Sequence, residues 1–280
     1  MTNAQLEIEE NKVTLLILDQ PGFEVKRDIT FDNFVANLLA NPPIKKTVII
    51  ADKALPEIKL WQTNKLGIKK LIGQGYSNFT GSPNNRKHNI KTAVEKLNGY
   101  ILKPGEEFSF VNFLGPTEAE QGYLAELVIK RNKTIPEYGG GVCQVSTTFF
   151  RAAINSGLKI TERQHHAFPI VYYNPQGFDA TIYDPKPDLR FINNTPDHLL
   201  IQTHVENNQV FVDFYGTDDK RTVTIKGPYI LESNEDGSMK TVLTQEVYKL
   251  SGDELEKQVF YSNYKSPDLY PISNGEEEEN

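Results

Sequence analysis

The 280 residues contain one cysteine. Residues 139–150 read GGGVCQVSTTFF, so Cys143 follows three glycines and leads into a polar run. A thiol becomes a good nucleophile when its thiolate is stabilised. A helix N-terminus does this through its unpaired backbone N–H groups and its dipole. Gly139, Gly140 and Gly141 suit that setting, because glycine reaches backbone conformations closed to other residues and lets a substrate chain approach. They would also aim N–H groups at a developing oxyanion. If a helix starts at or just after Cys143, Ser146 and Thr147 lie one turn on, on the same face. Both are small and polar, which suits the wall of a cleft.

A cysteine nucleophile wants a base, and a third group to orient that base. Residues 161–169 read TERQHHAFP and hold two of the five histidines, His165 and His166. Orienting candidates are Asp179, Glu162 and a backbone carbonyl, and spacing does not choose among them. Gln144, beside the cysteine, and Arg86 and His88, in NNRKH, join Gly139–Gly141, Ser146 and Thr147 as candidate substrate-binding residues. There are plainer readings. A lone cysteine at the start of an amphipathic helix is often a structural thiol. A metal site from Cys143, His165, His166 and His88 lacks any CxxC or HxxxH spacing, so neither metal nor other cofactor is expected. No Gly-Lys-Ser/Thr follows the glycines, which excludes a phosphate-binding loop. His198 and His204 read as surface or packing residues.

These side chains need elements to hold them. A helix is expected from Cys143, with Val145, Phe149, Ala152 and Ala153 on one face and Asn155-Ser156-Gly157 as its stop. Ile90, Ala93, Val94 and Leu97 mark an earlier amphipathic helix, with Gly99 just past its end. Before that helix, GQGYSNFTGSPNN at 73–85 has a linker's composition, although Tyr76 and Phe79 would anchor an ordered loop. Glu107–Phe110 reads as a short strand, and from Phe168 onward the chain is mostly β. Asp179–Tyr183 and Leu189–Ile192 are strand candidates. Leu199, Ile201, Thr203 and Val205 alternate, as do Val210, Val212 and Phe214, and Asn207-Asn208 joins them as a hairpin. A further hairpin is expected at Asn234–Gly237. The first seventy residues read as a small α/β unit, with strands at Val13–Leu18 and Lys46–Ala51. Its helix carries Phe31, Phe34, Val35, Leu38 and Leu39, with Thr30 as N-cap and Asn41-Pro42-Pro43 as its stop. The fold class is α+β.

Composition narrows the function classes. With 38% hydrophobic and 24% charged residues the chain is a folded protein able to bury a sizeable core. A net charge of −7 and no block of basic residues argue against nucleic-acid binding. No apolar run approaches the roughly 20 residues of a membrane span, and the opening MTNAQLEIEENK lacks a signal peptide's order.

The run GGGVCQVSTTFF resembles the signature of VanW-domain proteins of bacterial cell envelopes. The resemblance continues through GSPNNRKHNIKTAVEKLNG, LKPGEEFSF, GFDATI at 177–182 and DLRFINNT at 188–195. It implies a β-rich VanW domain with a few helices over residues 71–216. Before it would stand a small domain at 1–70, similar to a peptidoglycan-binding-like region. A β-hairpin extension at 217–272 and a disordered acidic tail at 273–280 would follow. The family implies L,D-transpeptidation of peptidoglycan stem peptides through a Cys143 thioester. His166, before Pro169, would then be the base and His165 its rival. Members commonly place a proline and a serine around that histidine, where this chain has His165 and Ala167, so a serine hydroxyl that would help orient the imidazole is missing. The resemblance also implies an extracytoplasmic, wall-associated location, with a leader or anchor outside this chain. The alternatives are a non-catalytic cell-envelope scaffold and a stem-peptide hydrolase that uses the same cysteine.

Overall fold

A computed structural model describes all residues except 1, 3, 10–11, 41, 45, 47, 57–58, 131–132 and 272–280. The acidic tail expected at 273–280 lies outside the described residues. The chain divides into two compact units, Met1–Lys65 and Leu66–Asn280. The architecture is α+β, as expected.

Among its described residues the first unit holds two antiparallel strand pairs, one α-helix and a 3-10 turn at Leu60–Gln62. Strand β1 (Gln5–Glu9) pairs with β2 (Lys12–Ile17), and β3 (Gly22–Val25) pairs with β4 (Ala51–Ala54) across helix α1 (Arg27–Leu39). The helix starts three residues before the expected cap. The Thr30 hydroxyl is used tertiarily instead, donating to the Ile50 carbonyl and accepting from the Ile50 N–H. The strand expected at 46–51 is shifted to Ala51–Ala54, because that segment is the one in register with Gly22–Val25.

The second unit carries the candidate site. In order it contains β5 (Lys70–Asn78), α2 (Asn84–Leu97), β6 (Ile101–Leu102), β7 (Glu107–Ser109), α3 (Phe110–Leu114), β8 (Ala125–Lys130) and β9 (Lys133–Tyr138). Then come α4 (Val142–Asn155), β10 (Lys159–Glu162), β11 (Arg190–Ile192), β12 (Leu199–Glu206) and β13 (Gln209–Gly216). Last are β14 (Thr222–Ser233), β15 (Met239–Tyr248) and β16 (Glu254–Tyr264). A four-stranded sheet, β5-β13-β12-β6, is the floor for α2 and α4. The β12–β13 hairpin closes on Asn207 and Asn208 at φ 49° and 59°, the left-handed pair that a two-residue hairpin turn needs. Its alternating residues Leu199, Ile201, Val210, Val212 and Phe214 are fully buried, as their pattern predicts. So are Ile90, Ala93 and Leu97 of α2. A cluster of stacked and edge-on rings, Phe108, Phe110, Phe149, Phe191 and Phe214, joins the small β10-β11-β7 sheet to α4 and the floor.

Helix α4 differs from its expectation. It is the central element of the unit, buried on every side from Gln144 to Ile154. Most of its polar groups are tied internally, although the buried Gln144 Oε1 has no hydrogen-bond partner. Thr148 shares a 2.7 Å hydrogen bond with Ser77, and the guanidinium of Arg151 donates to the carbonyls of Tyr76, Tyr173, Asn174 and Phe178. The supposed linker at 73–85 is largely strand β5 and the start of α2, and its glycines let the strand press against α4. A Cβ on Gly75 would sit 2.1 Å from the Thr148 carbonyl oxygen, and one on Gly73 would sit 2.0 Å from Ser156 Oγ.

Residues on both sides of position 216 belong to the same compact unit. Residues 222–264 form a three-stranded sheet, β14-β15-β16, inside that unit. Leu243 belongs to the common core, and Gln245 donates to the Ile154 and Leu158 carbonyls at the end of α4. The hairpin expected at Asn234–Gly237 is the first of its two turns. Residues 179–183 make an isolated bridge, Gln164 to Thr181, rather than a strand, because α4 takes the hydrogen bonds of Ala180.

Gly75→Ala should therefore destabilise the fold. Overpacking against backbone costs about 1–3 kcal/mol, to be read as a lower urea midpoint, whereas Gly216→Ala, where a Cβ meets nothing nearer than the end of the Ile72 side chain at 3.3 Å, should cost less.

Candidate functional site

Gly139 and Gly141 adopt positive φ, 80° and 109°, and Gly141 is the N-cap of α4. Each glycine is also forced by packing. A Cβ would come within 2.8 Å of Thr117 at 139, 2.8 Å of Glu126 at 140 and 2.9 Å of the Arg86 stem at 141. Asn89, buried on α2, donates to the Gly140 carbonyl and clamps Leu124 through both its N–H and its carbonyl. The turn tightens through bonds from Val142 N–H to the Gly139 carbonyl and from Gln144 N–H to the Gly141 carbonyl. Among the described residues no backbone acceptor takes the Cys143 N–H, which sits in the first turn at the positive end of the helix. The expected cysteine-first helix thus starts one residue earlier, at Val142.

Cys143 as a residue is partly exposed, and its sulfur lies 3.6 Å from Thr181 Oγ1 and 3.5 Å from the Ile182 carbonyl. His166 is nearly fully buried beside it. Nδ1 of His166 lies 2.6 Å from Asp179 Oδ2 and, facing a carboxylate, carries the proton. Nε2 is buried without a well-aligned hydrogen-bond partner, yet the ring and the sulfur are close enough to shift each other's pKa. Long or poorly aligned contacts of this kind are common in unliganded sites. The imidazole also stacks on Tyr173, centroid to centroid 4.2 Å.

Asp179 is wholly buried and fully engaged. Oδ2 accepts from the His166 backbone N–H at 2.8 Å as well as from Nδ1. Oδ1 accepts from Arg163 Nη2 at 3.1 Å and from the Tyr264 hydroxyl, which itself accepts from the Gly177 N–H. Arg163 also donates to the Asp179 carbonyl at 2.7 Å. Burial works to raise the Asp179 pKa, but His166, Arg163 and Tyr264 outweigh it and hold the carboxyl well below the usual carboxylate range.

The same contest runs along the relay. Burial opposes charge on His166, but the Asp179 carboxylate and the neighbouring sulfur overcome it and push the imidazole up to about 9. Burial also opposes the thiolate, yet His166 outweighs it and lowers the Cys143 pKa below its ordinary 9.0. The arrangement stabilises a thiolate–imidazolium pair between the lowered cysteine pKa and about 9.

His165 has a different setting. Its Nε2 accepts from the Asn263 N–H at 3.2 Å, so Nδ1 carries the proton and donates to the His166 carbonyl at 2.7 Å. With both nitrogens occupied and its pKa lowered, first by burial, the ring is neutral scaffolding that ties the His166 backbone to β16. Glu162 accepts from the Asp188 N–H and does not reach the relay. Ser146 and Thr147 are buried, and both donate to the Ala180 carbonyl, at 2.6 and 3.2 Å. They pin the Asp179–Ala180 segment to α4 rather than walling a cleft. Gln144 is likewise buried, donating to Ser77. His88, on another face of α2 from Arg86, is exposed and 2.8 Å from the Gly122 carbonyl. Arg86 is buried close to Gly141.

Residues 85–215 match the family described as VanW like protein. The chain carries a VanW-like domain. Among curated proteins it is similar to the uncharacterized protein YoaR of Bacillus subtilis, 32% identical over 147 residues, 52% of this chain and 48% of that protein. It is also similar to the vancomycin B-type resistance protein VanW of Enterococcus faecalis, 28% identical over 196 residues, 67% of this chain and 71% of that one. The chain thus spans about half of the first relative's length. No solved structure matches. Among the described residues no helix is long and apolar enough to cross a membrane. Cys143, His166 and Asp179 lie inside the VanW-like domain, whereas Tyr264 lies outside the matched stretch. Sequence reasoning missed Arg163, Tyr173 and Tyr264. Arg163 stands in TERQHH three residues before His166, the one local signal available.

Two outcomes follow. Iodoacetamide labelling of Cys143 should rise with a midpoint below pH 9.0. His166→Ala should move that midpoint upward, since only the Thr181 and Ile182 contacts then oppose burial, while His165→Ala should leave the midpoint below 9.0. Tyr264→Phe removes one hydrogen bond to a buried carboxylate, which costs about 1.5–3 kcal/mol, measured as lost stability in a urea melt.

Proposed function

We propose that this protein is a cell-envelope cysteine acyltransferase of the L,D-transpeptidase type, acting on peptidoglycan stem peptides. The observation that carries this reading is the Cys143–His166–Asp179 relay at the N-terminus of a buried helix. A vancomycin-resistance protein among the relatives supports a cell-envelope setting.

In this reading the Cys143 thiolate attacks the carbonyl at the L-to-D bond of a donor stem. A C–S bond forms, and the carbonyl oxygen becomes an oxyanion close to the Cys143 N–H and the positive end of α4. One such preorganised donor is worth roughly 10²–10³ in rate. As the tetrahedral species collapses, the C–N bond breaks and His166 passes its Nε2 proton to the departing amine of the D-residue. His166, now neutral, takes a proton from the incoming acceptor amine as that amine attacks the thioester. The thiolate leaves and the imidazolium is restored. Proton transfer by such a positioned group contributes roughly 10²–10⁴. Asp179 holds the imidazole in the tautomer this needs and stabilises its charged form. Water in place of the amine gives the hydrolase outcome with the same residues.

Incubation with muropeptides should give a covalent adduct on Cys143 in intact-mass spectra, absent from Cys143→Ala and much reduced in His166→Ala. A crosslinked dimer among the products marks the transferase and a trimmed stem marks the hydrolase. No adduct under any condition would sink both and leave a scaffold.

A further inference from the structure

Arg86 is a buried cation whose charge nothing described neutralises. It is 7% exposed. It donates from Nη1 to Ser82 Oγ at 2.7 Å and lies 4.0 Å over the Tyr172 ring. Among the described residues no carboxylate is within ion-pair distance, whereas Arg151 and Arg163, the other buried arginines nearby, are spent on carbonyls and on Asp179. A guanidinium has five N–H donors, and those contacts use only some of them. The rest are not among the sealed, unpaired side-chain atoms of the molecule, so they remain reachable. A charge taken out of water without a counter-ion is costly. A site that tolerates this is one whose counter-ion arrives with a ligand.

The position points to the ligand. The Arg86 stem packs against Gly141, two residues before Cys143. The Arg86 charge also acts on the Tyr173 hydroxyl, and the Tyr173 ring lies against that of His166. Arg86 therefore edges the reacting groups without belonging to the relay. Resting on the acyl-transfer reading of that site, we propose that Arg86 is the carboxylate anchor of the donor subsite, holding the α-carboxylate of the residue that leaves. A planar fork suits a carboxylate and rejects a neutral amide, which would make the enzyme select a free C-terminus next to the scissile bond.

Alkylation tests this without requiring turnover. The Cys143 thiolate attacks the CH₂ carbon of iodoacetate or iodoacetamide, a C–S bond forms and iodide leaves. The two probes differ in the carboxylate that Arg86 would hold. In the wild type, iodoacetate should react faster relative to iodoacetamide than it does with a small-molecule thiol. N-acetyl-D-alanine should slow iodoacetate labelling saturably at constant ionic strength, and its C-terminal amide should not. Arg86→Gln should lower the iodoacetate-to-iodoacetamide ratio by about tenfold, and Arg86→Lys, which keeps a point charge, should keep part of it. Equal protection by acid and amide in the wild type would overturn the proposal even if the variants fail to fold. So would an unchanged ratio in a folded Arg86→Gln protein. A muropeptide adduct without carboxylate selectivity removes the anchor alone, while carboxylate selectivity without an adduct removes the acyl-transfer reading and leaves an anion site.

Discussion

A carboxylate with no exposure to water, held by four donors from two distant parts of the chain, is the constraint around which this domain is arranged. Asp179 would be too costly to bury as an anion were any of those donors misplaced. His166 brings two of them, its ring and its own backbone N–H, and Arg163 and Tyr264 bring the others. Satisfying Asp179 therefore fixes the rotamer of the histidine, the path of the 163–166 loop and the end of β16 together. Once ionised, it raises His166, and His166 lowers Cys143. The electrostatics of the sulfur begin at a residue that does not touch it.

That arrangement explains why a central helix is so polar. Helix α4 would ordinarily present an apolar stripe and a wet face. Here both sides are covered, and Gln144, Ser146, Thr147, Thr148 and Arg151 serve as internal ties. Ser146 and Thr147 hold Ala180, which sets Asp179 one residue away. Arg151 gathers the carbonyls of Tyr173 and Asn174 and so positions the ring stacked on His166. The hydroxyls that look like a cleft wall in the sequence are the fasteners of the loop carrying the relay's acid. The sheet β14-β15-β16 belongs to the same machinery, because Tyr264 and the Asn263 N–H reach back to Asp179 and His165. A domain ending near residue 216 would leave the carboxylate one donor short.

His165 and His166 show how adjacent, chemically identical side chains take different roles. One ring is closed at both nitrogens by backbone groups and is lowered in pKa. The other is closed at one nitrogen by a carboxylate and open at the second toward sulfur. Nothing intrinsic to the dipeptide decides this, since consecutive residues point in different directions and the partners come from positions 143, 179 and 263.

Local signals determined a good deal of the protein. The 3.6-residue period of Ile90, Ala93, Val94 and Leu97, the alternation around Asn207-Asn208, and the glycines before Cys143 each encode a conformation within a few residues, and each element formed as its pattern requires. The candidate nucleophile, the two histidines and Asp179 were visible as residue types at suggestive spacings. What only the tertiary structure decided was every relation between distant segments. It set which histidine meets the sulfur and which acid orients it, and that Tyr264 completes the carboxylate's shell. It placed Ser146 and Thr147 inside, and made a glycine-rich stretch a strand pressed against a helix. The physical reason is that burial and hydrogen-bond satisfaction are properties of the whole packed core, and one segment's sequence cannot state which carbonyl or carboxylate another segment will bring to it.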